Sequence, residues 1–228
     1  MQCNLLNTKE TNKKYISKEV FLIGFSATTM GGFLDAYTYV LHDKVFANTQ
    51  TGNLILLAIY LFEGNFKEAM LRLIPIVLFF IGIFLFEILN LFNKNYSIKI
   101  SLILQAILIS FIGFGLFGNN SIIICGTISF ICAMQLVSFK KINDMPYATI
   151  MCTGNLRSFS QFFSKFILYK KKEDFKNSIL YLLIVLIFCL GVFLGMFFIK
   201  ILGAYSILVL LINVLIKFFI LHKFKANL

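Results

Sequence analysis

The sequence predicts an all-α membrane protein with six transmembrane helices in two related three-helix halves. The halves are expected to be inverted repeats, each with a broken half-helix segment starting at Thr-Gly-Asn. Three observations lead there. Of 228 residues, 59% are hydrophobic and only 14% charged, where a soluble domain carries about 25%; such a chain lacks the polar surface to cover a globule. Six apolar runs come close to the roughly 20 residues a helix needs to cross a bilayer core. Thr-Gly-Asn stands in "TQTGNLILL" (49–57) and again in "MCTGNLRSF" (151–159), each time just ahead of an apolar stretch.

Residues 1–19 are polar and read as a cytoplasmic amino-terminal tail. They do not read as a cleavable signal, because the apolar run after them is too long and no small-residue cleavage site follows it. The first membrane repeat, 20–118, holds the runs Val20 to Leu41, Leu73 to Phe92 and Ile100 to Phe117. The second, 119–222, holds Ser121 to Phe139, Ser178 to Ile199 and Ile201 to Leu221, and 223–228 is the carboxyl-terminal tail. Lys217 lies near enough to the end of the last run to snorkel. Each repeat also contains a stretch of mixed character, Val45 to Phe62 and Tyr147 to Leu168. These open with polar or β-favouring residues ("FANTQ", "YATIMC") and turn helix-like only after Thr-Gly-Asn. Pro146 suits a non-helical approach to the second. Thr51 to Phe62 makes about 18 Å of helix, a little over half of a core about 30 Å thick. Both stretches read as half-helices.

The net charge of +11 does not point to nucleic acid. Lysines cluster at the ends of apolar runs, as Lys165 to Lys176 do, which is the pattern of anchoring against anionic lipid at the cytoplasmic face. No soluble face interleaves basic and aromatic residues. If both half-helices dip in and return, 16 Lys and Arg lie inside and 4 outside (Lys44, Lys67, Arg72, Lys200). If both cross, the division is 14 to 6, with Arg157 in the membrane either way. The positive-inside rule favours six spans with both termini cytoplasmic. Abundant Lys, Asn, Ile and Phe suggest an AT-rich bacterial genome, so the expected address is the cell inner membrane.

The repeat extends beyond the tripeptide. "GGFLDAYTYV" (31–40) matches "CAMQLVSFKK" (132–141), read with Asp35 against Gln135 and Tyr39 against Phe139; "IGIFLFE" (81–87) matches "LGVFLGM" (190–196), with Gly82 against Gly191. Three crossings per half is an odd number, so the halves would lie upside down to one another, as in transporters built from inverted repeats around broken helices. Through "GGFLDAYTYV…FANTQTGNLILL" and "MQLVSF…CTGNL", the chain from about Val20 to Leu221 resembles the YoaK-like family of bacterial multipass inner-membrane proteins, a domain of unknown function. The resemblance implies a six-span inner-membrane protein, of a kind sometimes labelled a small-molecule transporter, and implies no substrate. Arg157 departs from the repeat, standing where the first copy has Ile55.

A helix that starts in mid-membrane leaves up to about four N–H groups unpaired and a partial positive charge, which survive only beside protein or a wet cavity. Thr51 and Thr153 suit N-caps. Gly52 and Gly154 permit close backbone approach, and Asn53 and Asn155 add carboxamides with donors and an acceptor. Two such ends meeting would form one polar site; otherwise each merely caps a packed helix. Asp35 is the sharpest single residue, since a carboxylate within a span costs about 2.5–3.5 kcal/mol on insertion scales. Gly31, Thr28 and Tyr39 share its helix face. Either Asp35 exchanges a proton and couples solute movement to the proton gradient, or it pairs with Arg157, which could instead hold an anion. The expected substrate-binding set is Asp35, Tyr39, Thr51, Gly52, Asn53, Gln135, Thr153, Gly154, Asn155 and Arg157. Gln105 reads as interhelical glue, and Gly191 with Gly195 as a close-packing G-x-x-x-G within the monomer or between subunits.

Five scattered cysteines and two histidines show no metal-site spacing, so neither a metal nor a cofactor is expected. An enzyme acting on lipid would need a nucleophile with its base, or paired acids, at membrane depth, and the sequence offers neither. The functional expectation is a small-molecule transporter or channel with a polar site between the two Thr-Gly-Asn starts. The alternative is a structural or accessory membrane protein without a solute pathway. Expected partners are membrane lipid, a small solute of unknown kind and, in a possible homo-oligomer, a second copy of the chain.

Overall fold

The apolar runs form eight α-helices in the computed structural model, which describes residues 18–138, 141–142, 145–146 and 152–224. In chain order these are α1 (Lys18–Leu41), α2 (Gln50–Phe62), α3 (Phe66–Phe92), α4 (Lys94–Gly113), α5 (Ser121–Ser138), α6 (Cys152–Tyr169), α7 (Lys172–Leu202) and α8 (Leu210–Phe224). A two-residue antiparallel hairpin, β1 (Lys141–Ile142) with β2 (Met145–Pro146), precedes α6, and a 3₁₀ segment (Gly203–Val209) joins α7 to α8. The expected amino-terminal tail and the "YATIM" approach to α6 fall almost wholly outside the described residues.

Among the described residues, four stretches are long and apolar enough to cross a membrane: Phe66–Phe92, Tyr96–Gly113, Ser121–Ser138 and the 52-residue run Lys172–Lys223. The 3₁₀ segment divides the last into α7 and α8. The break sits at Gly203, whose φ of +58 is a left-handed conformation that glycine adopts without a Cβ clash. Large apolar side chains face outward, among them Phe80, Phe84, Phe193 and Phe219, each more than half exposed. That is the surface of a membrane-embedded protein. α1 is not one of the four stretches despite its 24 residues. Its polar groups are buried in the centre instead, and the Thr28 and Thr38 hydroxyls donate to carbonyls four residues back.

Several helix boundaries differ from expectation: α3 starts at Phe66 rather than Leu73, α7 at Lys172 rather than Ser178, and α8 at Leu210 rather than Ile201. α4 begins at Lys94 rather than Ile100, because extended Asn93 ends α3 and its Oδ1 accepts from the Tyr96 N–H at 3.2 Å, restarting a helix at once. α4 also stops at Gly113 rather than Phe117, before a turn in which Gly115 and Gly118 have φ of +74 and +57.

The chain reverses sharply after α1. Asp43 and Lys44 take φ of 54 and 55, and Arg72 of α3 holds this corner by donating to their carbonyl oxygens at 3.1 and 3.3 Å. By Asn48 the chain has doubled back along α1. The Asn48 N–H donates to Asp35 Oδ1 (3.1 Å) and its side-chain amide to Gly31 O (2.7 Å). Gly31 lies well short of the end of α1, so this return covers about 15 Å at about 1.5 Å per residue. α2, 13 residues long, then climbs about 20 Å to the end from which the chain came. There Asp43, Lys67, Glu68, Asn119 and Asn120 line one cleft of about 340 Å³.

The most extensive helix contacts are α3 with α5, α1 with α7, α6 with α7 and α2 with α3. Glycine allows the first two. A Cβ on Gly82 would lie 2.8 Å from Phe130 O and from Ala133 Cβ on α5; one on Gly191 would run into Thr29 O on α1. Gly195 meets Phe33 and Ala36, so the G-x-x-x-G packs α7 on α1 within the monomer. If the halves are repeats in which Gly82 answers Gly191, as expected, then Gly82 on Phe130 and Gly191 on Thr29 set residue 29 against 130, hence Asp35 against Leu136 and Leu34 against Gln135. The expected pairing of Asp35 with Gln135 is one residue off that register, and one residue on a helix is about 100° of rotation. Phe139, its companion, lies outside the described residues.

Lys217 does not snorkel. It stands half-way along α8, fully buried, donating to Gln135 Oε1 at 2.9 Å beside Met30 Sδ at 3.2 Å. Gln135 in turn donates to Ala27 O at 2.8 Å. Because α8 starts only at Leu210, Lys217 is about two helical turns from either end and its stem reaches neither. Gln105 donates to Ser101 Oγ of its own helix, and it is the Ser138–Ser101 hydroxyl contact that bridges α5 to α4.

Candidate functional site

A cavity of about 920 Å³ lies between the starts of α2 and α6. α2 contributes Gln50, Thr51 and Gly52; α6 contributes Cys152, Thr153, Gly154 and Arg157; and α1 supplies Asp35. Phe46, Asn48 and Thr49 come from the segment before α2, and Phe79, Leu136 and Phe188 form apolar walls.

Local hydrogen bonding explains how α2 begins here. Thr49 occupies the cap position with φ −107 and ψ 92 and makes no side-chain cap bond. Thr51 is therefore already inside the first turn and is not the cap, and Thr153 likewise follows Cys152, the first residue of α6. Side-chain amides do the fastening. Gln50 Nε2 donates to Ala47 O (2.8 Å), while Asn53 Nδ2 donates to Gln50 Oε1 and to Phe46 O (both 3.0 Å). The Ser129 hydroxyl donates to Ala47 O at 2.7 Å and ties the segment to α5.

Six of the expected site residues line the cavity: Asp35, Thr51, Gly52, Thr153, Gly154 and Arg157. Asn53 and Asn155 do not, being buried to 2% and 3% exposure behind its wall. Gln135 belongs to the Lys217 cluster. Tyr39 is 41% exposed and stacks on Phe46 at 4.8 Å, outside the lining. The two glycines do not serve close protein packing, since a Cβ on either meets nothing within 4 Å. They leave open space.

Asp35 is 6% exposed and accepts from the Asn48 N–H. No ion pair joins it to Arg157, although both line the cavity. Asn48, 2% exposed, keeps its side-chain Oδ1 without a hydrogen-bond partner. Sequence reasoning passed over Asn48 and Gln50, whose signal was the polar "FANTQ" itself. The phenylalanine walls carried no signal among 28 phenylalanines. Among the described residues no group of three or more His, Cys, Asp or Glu is placed to hold a metal ion.

A family model described as "Protein of unknown function (DUF1275)" matches residues 23–220. No curated protein and no solved structure matches the chain.

Proposed function

Because the chain belongs to the DUF1275 family, whose description assigns no activity, we propose its function from the cavity: a small-molecule transporter or channel of the bacterial inner membrane. Its solute sits between the starts of α2 and α6. The observation that carries this reading is the single cavity of about 920 Å³ shared by both helix starts, Asp35 and Arg157. Two helix starts that served only as caps would not need to share one space with a carboxylate and a guanidinium. The protein is read as a binding and translocating device, not an enzyme.

The cavity lining supports an inverted repeat. In the register set by the glycine contacts its residues fall into pairs: Thr51 with Thr153, Gly52 with Gly154, Gln50 with Cys152, Phe79 with Phe188, Asp35 with Leu136. Helix contacts pair in the same way, α1–α7 with α5–α3, α2–α3 with α6–α7, and α4–α5 with α8–α1. On this reading α1, α3 and α4 cross in one half and α5, α7 and α8 in the other, with α2 and α6 re-entering from opposite faces. Rocking of one half against the other would expose the site to each side in turn.

The test is uptake of a mixture of labelled metabolites into proteoliposomes, comparing wild type with Gly154→Leu. A side chain at position 154 projects into open space, so the variant should keep its melting temperature and lose uptake. Equal uptake by both proteins would overturn the proposal.

A further inference from the structure

We infer that the cavity takes a small zwitterion, an ammonium and a carboxylate on one apolar body, with the ammonium at Asp35 and the carboxylate toward Arg157. The inference rests on the transport reading and names its solute class.

Asp35 and Arg157 are the charged residues of the lining, and each stands where its counterpart in the other half is apolar: Leu136 for Asp35 and Ile55 for Arg157. Each half thus contributes one charge of opposite sign to the shared surface, and the two do not form an ion pair with each other. At the acidic end, Asn48 donates its amide to Gly31 O at 2.7 Å, which leaves the carboxamide oxygen as the atom without a partner. That oxygen is itself buried, so the Asp35 carboxylate is the acceptor on this side of the cavity, and an ammonium supplies the N–H donors that match it.

At the basic end, a guanidinium receives a carboxylate through two parallel hydrogen bonds. Phe79 and Phe188 flank the space with apolar surface. A purely cationic solute would meet Arg157 without compensation and a purely anionic one would meet Asp35, so the charge pair discriminates by repulsion as well as attraction.

The experiment uses three probes of one shape: L-leucine, 3-methylbutylamine, which lacks the carboxylate, and 4-methylpentanoate, which lacks the amine. Affinities are read by ligand-induced thermal stabilisation of the purified full chain, and leucine and phenylalanine uptake in proteoliposomes. Wild type should bind leucine at least about tenfold more tightly than either fragment, the weight of one charge-assisted contact. Asp35→Asn, which keeps the shape of the side chain and its acceptor for the Asn48 N–H, should weaken leucine and the amine and leave the acid unchanged. Arg157→Gln should weaken leucine and the acid and leave the amine unchanged. Equal binding of all three probes, or both variants weakening all three alike, overturns the inference. Uptake of other solutes that Gly154→Leu abolishes, without leucine or phenylalanine uptake, sinks the zwitterion assignment and leaves the transport reading standing. No uptake of any solute sinks the transport reading itself.

Discussion

Thr51 and Asn53 are two residues apart on a helix, hence about 200° apart in direction, and that angle explains how the tripeptide divides its work. Thr51 faces the cavity while Asn53 turns back to clamp Phe46 and Gln50. Asn53→Ala should therefore destabilise the fold by about 1–3 kcal/mol, the range for leaving buried groups unpaired, read as a lower melting temperature with unchanged relative affinities for solutes. A change in solute preference at unchanged stability would return Asn53 to the binding surface. The same angular rule made Arg157 legible, since it lies one turn beyond Thr153 on the same face, and it hid the role of the asparagines, because composition gives residue type without direction. Lys217 and Gln135 were misread for a related reason: the position of the α7–α8 break decides whether a lysine reaches the surface, and no residue in the run announces a 3₁₀ segment. Gln135→Leu removes an acceptor from the buried Lys217 amine and should cost about 1–3 kcal/mol. Adding Lys217→Met should recover part of that loss in thermal melts, and a double variant less stable than Gln135→Leu alone would show that Lys217 is held mainly by other groups.

At the scale of elements, the glycines separate packing from function. Gly191 lies against the α1 backbone at Thr29, so Gly191→Ala must push two helices apart, an overpacking that costs about 1–3 kcal/mol. Gly52→Ala meets nothing within 4 Å and places a better helix former in a first turn, so its effect should be neutral or stabilising by up to about 1 kcal/mol. Melting both variants in the same detergent checks the contrast; equal losses would mean that the open space at Gly52 is closed in solution. Helix existence was legible from the apolar runs, but the cap of α2 was expected at Thr51 and lies two residues earlier at Thr49, because the polar Gln50, Thr51 and Gly52 are already helical. The start of α4 was not legible. A single asparagine both ended one helix and capped the next, and hydropathy alone assigned the polar residues after it to a loop.

For the whole molecule, the decisive geometry is the return of the chain along α1. Asn48 lies beside Gly31 and Asp35, and the turns at Asp43, Lys67 and Asn119 share one end. The recurrence of Thr-Gly-Asn and of the glycines was legible in the sequence, whereas any register between the proposed halves needed the helix contacts. Charge predicts how the bundle is oriented. Moving Lys217 into the core removes one residue from the sixteen assigned to the inside, leaving fifteen against four, and the bias still predicts that the end bearing Lys44 and Lys67 lies outside. Single cysteines at positions 44, 67, 94 and 172, in a background with the five native cysteines replaced, test this with an impermeant thiol reagent on intact cells. Positions 44 and 67 should label directly, and 94 and 172 only after permeabilisation. A crossing α2 would put 44 and 67 on opposite faces, so unequal labelling of that pair would remove the re-entrant segment and, with it, the shared site between α2 and α6. Equal labelling of 44 and 67 only after permeabilisation would keep the segment and invert the molecule, which the positive-inside bias forbids unless the amino-terminal lysines are translocated.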